Sequence, residues 1–379
     1  MRYAAAPVAT LLLCCGALNV PAHAASFSVA EWGKTAAGER VQRVTMQNDT
    51  GMRVSLIDYG ATITEISVPD KRGLRKNVVL SLPDVQAYER SARRWGGIVG
   101  RYAGRIANGR FQLDGKAVAL DTDANGHTLH GGPRGYDRRV WRRTDFHDRQ
   151  SQGVVFELLS PDGDQGFPGA LQLRVRYRMP RKGNELRIEY EATSTAPTPV
   201  NFTNHAFYNL RGADSGDLGN QRFLIHADRY ANTGDKRIPS GLLSALDGSE
   251  LDFRSAALVM PRLGRANALL GDPPGIDHSL VFAGTGGGLR LVAEIVDLDS
   301  GRRMRVRTTE PGAQFNTGNG FDGSETGSEG IAYRKYGGFA FETQHLPDSP
   351  NHPPFPSTIL RPGERFRSVT LLSFSVVRD

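Results

Sequence analysis

Leu171-Gln-Leu-Arg-Val-Arg-Tyr-Arg-Met179 alternates apolar and polar residues without a break. Leu171, Leu173, Val175, Tyr177 and Met179 fall on one face and the arginines on the other, the period-two signature of a strand with one side buried and one wet. The pattern recurs outward along the chain. Leu186, Ile188, Tyr190 and Ala192 share a face. Phe111 and Leu113, then Asp114-Gly115, then Val118 and Leu120 read as a hairpin with a tight turn. Leu289, Leu291, Ala293 and Ile295 run to Asp299-Ser-Gly301, and Met304, Val306 and Thr308 return. Residues 366–377 read as a closing strand. Helical periodicity is scarce, and 84–94 is the best short candidate. With 44 glycines and 21 prolines to make turns, no internal repeat and no low-complexity linker, the chain is expected to be all-β, a sandwich or barrel, in one large domain.

The N-terminus is expected to lie outside that domain. Arg2 supplies a positive start, residues 8–18 are apolar but too short to span a membrane, and Ala22-His23-Ala24 offers small residues for a signal peptidase. The expectation is a cleavable leader over residues 1–24, a mature domain over 25–379 and a periplasmic or secreted protein. The alternatives are a buried N-terminal helix and a lipoprotein. The residues before Cys14 and Cys15 are Leu13 and Cys14, not the small residue a lipid-attachment site wants. Both cysteines lie in the leader, so the mature chain has none. That excludes disulfides, a thiolate nucleophile and cysteine-ligated metal. The net charge of +7 raises nucleic-acid binding, but arginines alternating with apolar residues form a solvated strand face, not an aromatic-interleaved patch.

Two distant segments carry the chemistry. Asn201-Phe-Thr-Asn-His-Ala-Phe-Tyr-Asn-Leu210 sets His205 among amides and aromatics. Phe339-Ala-Phe-Glu-Thr-Gln-His-Leu-Pro-Asp348 sets Glu342 in an apolar strand. An imidazole and a carboxylate in such surroundings suit proton transfer on a neutral polyol. Four further segments are dense in polar and aromatic residues: Gly100-Arg-Tyr-Ala-Gly-Arg-Ile106, Leu129-His-Gly-Gly132, Gly275-Ile-Asp-His278 and Glu310-Pro-Gly-Ala-Gln-Phe315. Taken singly each has a plainer reading. His205 is then a satisfied structural histidine, Glu342 a solvent-facing residue between inward Phe339 and Phe341, Asp277 a turn cap and His130 a loop residue. His127 and His130 have a loose two-histidine spacing with no strand-fixed third ligand for a metal. Gly33-Lys34-Thr35 resembles the end of a phosphate loop, but position 28 is Ser and no strand is expected to lead into it. Gly284-Thr-Gly-Gly-Gly288 reads as a hairpin tip, and no Gly-x-Ser-x-Gly elbow is present.

In this order, and together with Ala227-Asp-Arg-Tyr230, Ile238-Pro-Ser-Gly241, Asp252-Phe-Arg254 and Leu360-Arg-Pro-Gly-Glu364, these segments resemble the aldose 1-epimerases, or galactose mutarotases, from about Val44 to the C-terminus. The resemblance implies a large antiparallel β-sandwich with a sugar cleft, no cofactor and no metal. It implies Glu342 as catalytic base and His205 as acid, with Arg105, His130, Asp277 and Gln314 contacting substrate hydroxyls or orienting the reacting centre. The implied partner is a monosaccharide, not nucleic acid, for a monomer or homodimer. Gly104 departs from an asparagine common in the family, Asn316 from an aromatic, and His127-Thr128 from Asn-His; all bear on sugar preference. For the proton roles, Glu342 is expected ionised and His205 protonated, with a neighbouring carboxylate such as Asp277 raising the imidazole above its ordinary value. The other readings are a non-catalytic sugar-binding protein of the same fold and a sugar-phosphate epimerase, for which Arg101 and Arg105 are the candidate phosphate ligands.

Overall fold

The computed structural model describes residues 24–264, 266–284 and 287–378. The expected leader lies outside the described residues except for Ala24. Among the described residues no helix is long and apolar enough to cross a membrane.

The alternating segment forms the strand Leu171–Pro180, and its five inward side chains are all fully buried. It pairs antiparallel with Ser151–Ser160 and Glu185–Ser194. Its arginines meet acids across the ladder: Arg174 stands opposite both Glu157 and Glu191, and Arg176 opposite Glu189. Opposite charges at directly facing positions stabilise the pairing by roughly 0.2–1 kcal/mol each. Arg174 and Arg176 are thus charge-balanced, whereas Arg178 stands opposite Arg187 and stays on the solvated face.

These strands belong to a nine-stranded sheet that continues through Phe366–Val376, Arg302–Thr308, Arg290–Asp297, Gln221–Ile225 and Ala257–Leu258. The expected closing strand thus lies inside the sheet, between Glu185–Ser194 and Arg302–Thr308. A seven-stranded sheet runs Pro239–Ala245, Ala227–Thr233, Asp277–Phe282, Gly312–Asn316, Phe339–Gln344, Phe207–Tyr208, Val79–Leu80. An N-terminal five-stranded sheet spans Ser26–Lys34 to Arg75–Asn77 and adds Val44, Leu56 and Ile63 to the same core. Every strand pair among the described residues is antiparallel, as expected for a sandwich. The two large sheets meet through aromatic rings. Phe223 of the nine-stranded sheet sits 5.2 Å from Phe315 and 5.0 Å from Phe339 of the seven-stranded sheet, centroid to centroid. Such ring pairs add about 0.5–1.5 kcal/mol beyond their buried area.

The predicted hairpin forms as Arg110–Leu113 and Lys116–Ala119, with φ of 49° at Asp114 and 78° at Gly115. Positive φ at both central residues is what a two-residue turn between right-twisted strands needs. Four expectations are corrected. The helix is only Val85–Arg90, capped at its start by Asp84 accepting from Ala87 N–H at 2.7 Å. It stops because Ser91 turns out of the helix, where its hydroxyl accepts from the buried Trp95 indole at 3.0 Å. A bulge between Leu291 and Ala293 breaks the expected single face, and Val292 enters the core beside Ala293. The segment around Gly284 connects strands of different sheets and is not a hairpin tip. A strand, Ser26–Lys34, does lead into Gly33-Lys34-Thr35, but a return strand follows at Arg40–Gln47, so no phosphate-binding helix start exists there.

Candidate active site

Strand alternation places the site. In Phe339–Gln344 all six residues are buried, yet they face two ways. Phe339 and Phe341 enter the aromatic core. Thr343, on that same side, reaches Thr370 of the opposite sheet, 2.5 Å between hydroxyls. Glu342 and Gln344 project from the other face into a cleft of about 100 Å³. Glu342 therefore faces neither solvent nor core. Register extends the cleft floor across two neighbours: Gln314 lies opposite Glu342 and Ser279, and Asn316 opposite Asp277.

His205 arrives from a separate segment. Its N–H donates to Gly97 O and its carbonyl accepts from Gly96 N–H, both at 2.9 Å, which pins the ring beside the strand that carries Glu342. Nε2 lies 3.5 Å from Glu342 Oε1, with 12 % of the His205 side chain and 2 % of the Glu342 side chain exposed. His205 Nδ1 and Glu342 Oε2 are buried with no hydrogen-bond partner. An unpaired buried polar atom is costly, and here the unpaired atoms belong to the two groups expected to react.

The expected proton distribution is reversed. Burial drives His205 down to about 4, and the nearby Arg94 guanidinium adds to the shift. Burial drives Glu342 up to about 8, only partly offset by Arg94 and Arg105. Desolvation penalises both charged forms. Asp277 does not raise the histidine: it is engaged elsewhere, accepting from Gln314 Nε2 at 2.7 Å and pairing with Arg237.

The remaining candidates converge. Pairing of Leu129 with Arg105 sets His130 beside Arg105 at the cleft wall. His130 Nδ1 accepts from Gly104 N–H at 3.2 Å. Burial and the surrounding cations Arg94 and Arg105 hold the ring neutral, so its own N–H is on Nε2. Its ring meets His205 edge-on at 5.2 Å. Gln314 is held at both ends, with Ser279 Oγ donating to Oε1 at 2.5 Å and Nε2 donating to Asp277. The guanidinium of Arg105 makes no hydrogen bond or ion pair among the described residues, and burial lowers its pKa. All six predicted residues thus line one cleft.

Two departures from the family pattern also lie on the cleft, Gly104 and Asn316. Gly104 has φ 78°, and a Cβ there would sit 2.6 Å from Pro347 Cγ, so any larger residue must push Pro347 aside. Arg101 is not available for phosphate. It is fully buried and donates to Pro168 O, Gly169 O, Thr198 Oγ1 and Ser160 Oγ, all neutral acceptors.

Sequence reasoning missed three residues. Gln344 is buried with both amide atoms unpaired and faces the cleft; its position two after Glu342 on one strand was a usable signal. Arg237, on the rim, sits in a polar turn that reads as solvated. Arg94 acts on both His205 and Glu342, and nothing in Arg-Arg-Trp points to a site.

The family model for aldose 1-epimerase matches residues 42–373. The aldose 1-epimerase of Escherichia coli K12 is 38% identical over 345 residues, 89% of this chain and 96% of its own. The human galactose mutarotase is 37% identical over 339 residues, 89% and 95% of the two chains. Among solved structures, galactose 1-epimerase from Lactobacillus acidophilus NCFM superimposes with a TM-score of 0.81 at 26% identity, covering 94% of this chain and all of that one. A strand-built cleft with a buried carboxylate–imidazole pair and sequence matches over almost the whole chain have one reading: the chain belongs to the aldose 1-epimerase family.

Proposed function

We propose that the protein interconverts the α and β anomers of free aldoses by acid–base opening and reclosing of the sugar ring. The observation that carries this is the facing pair His205 and Glu342, 3.5 Å apart on the cleft floor. A base takes the proton of the C1 hydroxyl while an acid protonates the ring oxygen, and the C1–O5 bond breaks. The open aldehyde turns about C1–C2, and the same steps in reverse close the ring on its other face. Each positioned acid or base contributes roughly 10²–10⁴-fold.

The pair needs one proton between its two members. With His205 low and Glu342 high, that proton rests on Glu342 before sugar binds. Protonated glutamate with neutral imidazole holds as many protons as carboxylate with imidazolium. Sugar hydroxyls donating to the carboxylate favour the second form, and the proton passes from Glu342 to His205 across the short gap. Glu342 then serves as base and His205 as acid. Neutral His130 donates to a sugar oxygen. Arg94 and Arg105 stabilise negative charge as it develops on the ring oxygen or O1. Asp277, Gln314 and Gln344 fix the hydroxyls.

A sugar-binding protein without activity has no use for a buried carboxylate whose ionisation costs folding stability. The phosphate reading loses Arg101. Polarimetry of freshly dissolved α-glucose or α-galactose tests the proposal directly. Decay of rotation no faster than in buffer overturns it. The reading extends to an exported protein, supported by the leader pattern in residues 1–24.

A further inference from the structure

A second cavity of about 180 Å³ adjoins the cleft, lined by Arg105, Asp123, Asn125, His127, Lys236 and Arg237. Arg105 and Arg237 border both spaces, so a ligand in the cleft can extend a substituent between them. Its walls are rich in donors. Arg105 has its full guanidinium uncommitted. His127 Nδ1 accepts from Asn108 N–H at 2.9 Å, which leaves Nε2–H free when the ring is neutral. Lys236 is steadied by donating to Asn125 O at 3.0 Å.

The turn that supplies two of these cations is unusual. Lys236 and Arg237 are consecutive long side chains with φ of 54° and 60°, a left-handed conformation that strains non-glycine residues. An ordinary turn would place glycine or asparagine there. The conformation sets Arg237 against Asp277 and turns Lys236 toward the second cavity.

Charge counting selects the ligand. Arg237 is taken up by Asp277, and Arg105 feels Asp123 and Glu342, of which Glu342 shares one proton with His205 in a pair that is neutral overall. Three cations face two carboxylates, which leaves one positive charge unmatched at the junction. A monoanion fits this balance; a phosphate dianion exceeds it and meets Asp123.

We propose that the adjoining cavity is a subsite for a carboxylate on the sugar, and that the protein epimerises hexuronic acids in preference to the matching neutral hexoses. The inference rests on the aldose 1-epimerase reading and deepens it. Neutral hexose fills the cleft alone; a hexuronate adds a charge-assisted contact to Arg105 and Lys236.

The test compares α-galacturonate, α-galactose and galactose 6-phosphate, at one pH and low salt, in wild type and in Lys236→Met. Lys236 does not border the catalytic cleft, so galactose turnover should be unchanged in the variant. The expected result is a kcat/KM about tenfold higher for galacturonate than for galactose in wild type, the size of one modest ionic contact. That preference should fall toward parity in Lys236→Met and at high ionic strength. Turnover of galactose without the preference, or a preference that Lys236→Met leaves intact, overturns this inference alone. A larger preference for the 6-phosphate overturns the carboxylate assignment. No turnover of any of the three overturns both this and the epimerase reading.

Discussion

His205 Nε2 faces Glu342 Oε1 across 3.5 Å, and burial has pushed the two groups in opposite directions, the imidazole to about 4 and the carboxyl to about 8. The pair holds one proton between those limits. Below about 4 it gains a second and loses its base; above about 8 it loses the first and has no acid. The kcat/KM profile should therefore be a broad plateau with an acid limb near 4 and a basic limb near 8, each a property of the pair. Initial rates of optical-rotation change across pH 3 to 10 check it. An acid limb near 6.5 would mean that His205 titrates as an ordinary histidine.

Glu342→Gln should cost roughly 10²–10⁴-fold in kcat while KM or sugar affinity changes little, because the amide keeps the shape of the carboxyl. The same variant should be more stable than wild type at neutral pH. Glu342 is raised from 4.5 to about 8, so the folded protein resists ionising it. Stability is fully present below the unfolded value and is lost as pH rises toward the folded one. The stability advantage of Glu342→Gln should be absent near pH 4, grow up to about pH 8 and then level, reaching a few kcal/mol by order of magnitude. Thermal melts across that range decide it.

Arg94 lowers both members of the pair. Arg94→Met should move both limbs of the pH profile to higher pH, because an imidazolium is no longer repelled and a carboxylate no longer attracted. Loss of stability should accompany it, since Arg94 Nε stands 4.0 Å from the buried Asp137. A merely structural role for Arg94 would lower Tm and leave both limbs in place.

Gln314 bonds to both Ser279 and Asp277 of the neighbouring strand. Gln314→Ala removes the donor that orients the Asp277 carboxylate. KM for galactose should rise about tenfold, the worth of one hydrogen bond to a charged group, with a smaller change in kcat. Steady-state kinetics that show a pure kcat loss would place Gln314 in the proton transfer instead.

Export is tested by fractionating a bacterial host that expresses the full chain. N-terminal sequencing of the periplasmic product should begin at Ala25. Recovery of the intact Met1 terminus in the cytoplasm alone would refute the leader.

Much of the fold was legible because strand periodicity is local. Leu171 to Met179 announces its own two faces, and Asp114-Gly115 announces its turn. The Leu291–Ala293 bulge is different: it depends on what the neighbouring strand presents, and the alternation of Leu289, Leu291 and Ala293 hides it. The helix end was hidden similarly, because Ser91 is drawn away by a tryptophan indole and not by its own propensity. For the site, the six candidate residues were identified through motifs in a shared order. Their electrostatics were not accessible that way. Whether an imidazole sits above or below its ordinary pKa depends on how much water the fold removes and which cations it brings near. Arg94 ends the segment that reads as a helix and Arg237 lies in a polar turn, so their effect on the cleft is visible only after folding.

Phe339–Gln344 carries the aromatic hub of the sandwich on one side and the Glu342 carboxylate of the cleft on the other. Deleting a single residue at its start would exchange the two sides, driving a carboxylate among phenylalanines and a phenyl ring into the sugar's place. Substitutions within that strand keep its two sides apart, whereas any change of its length by one residue does not.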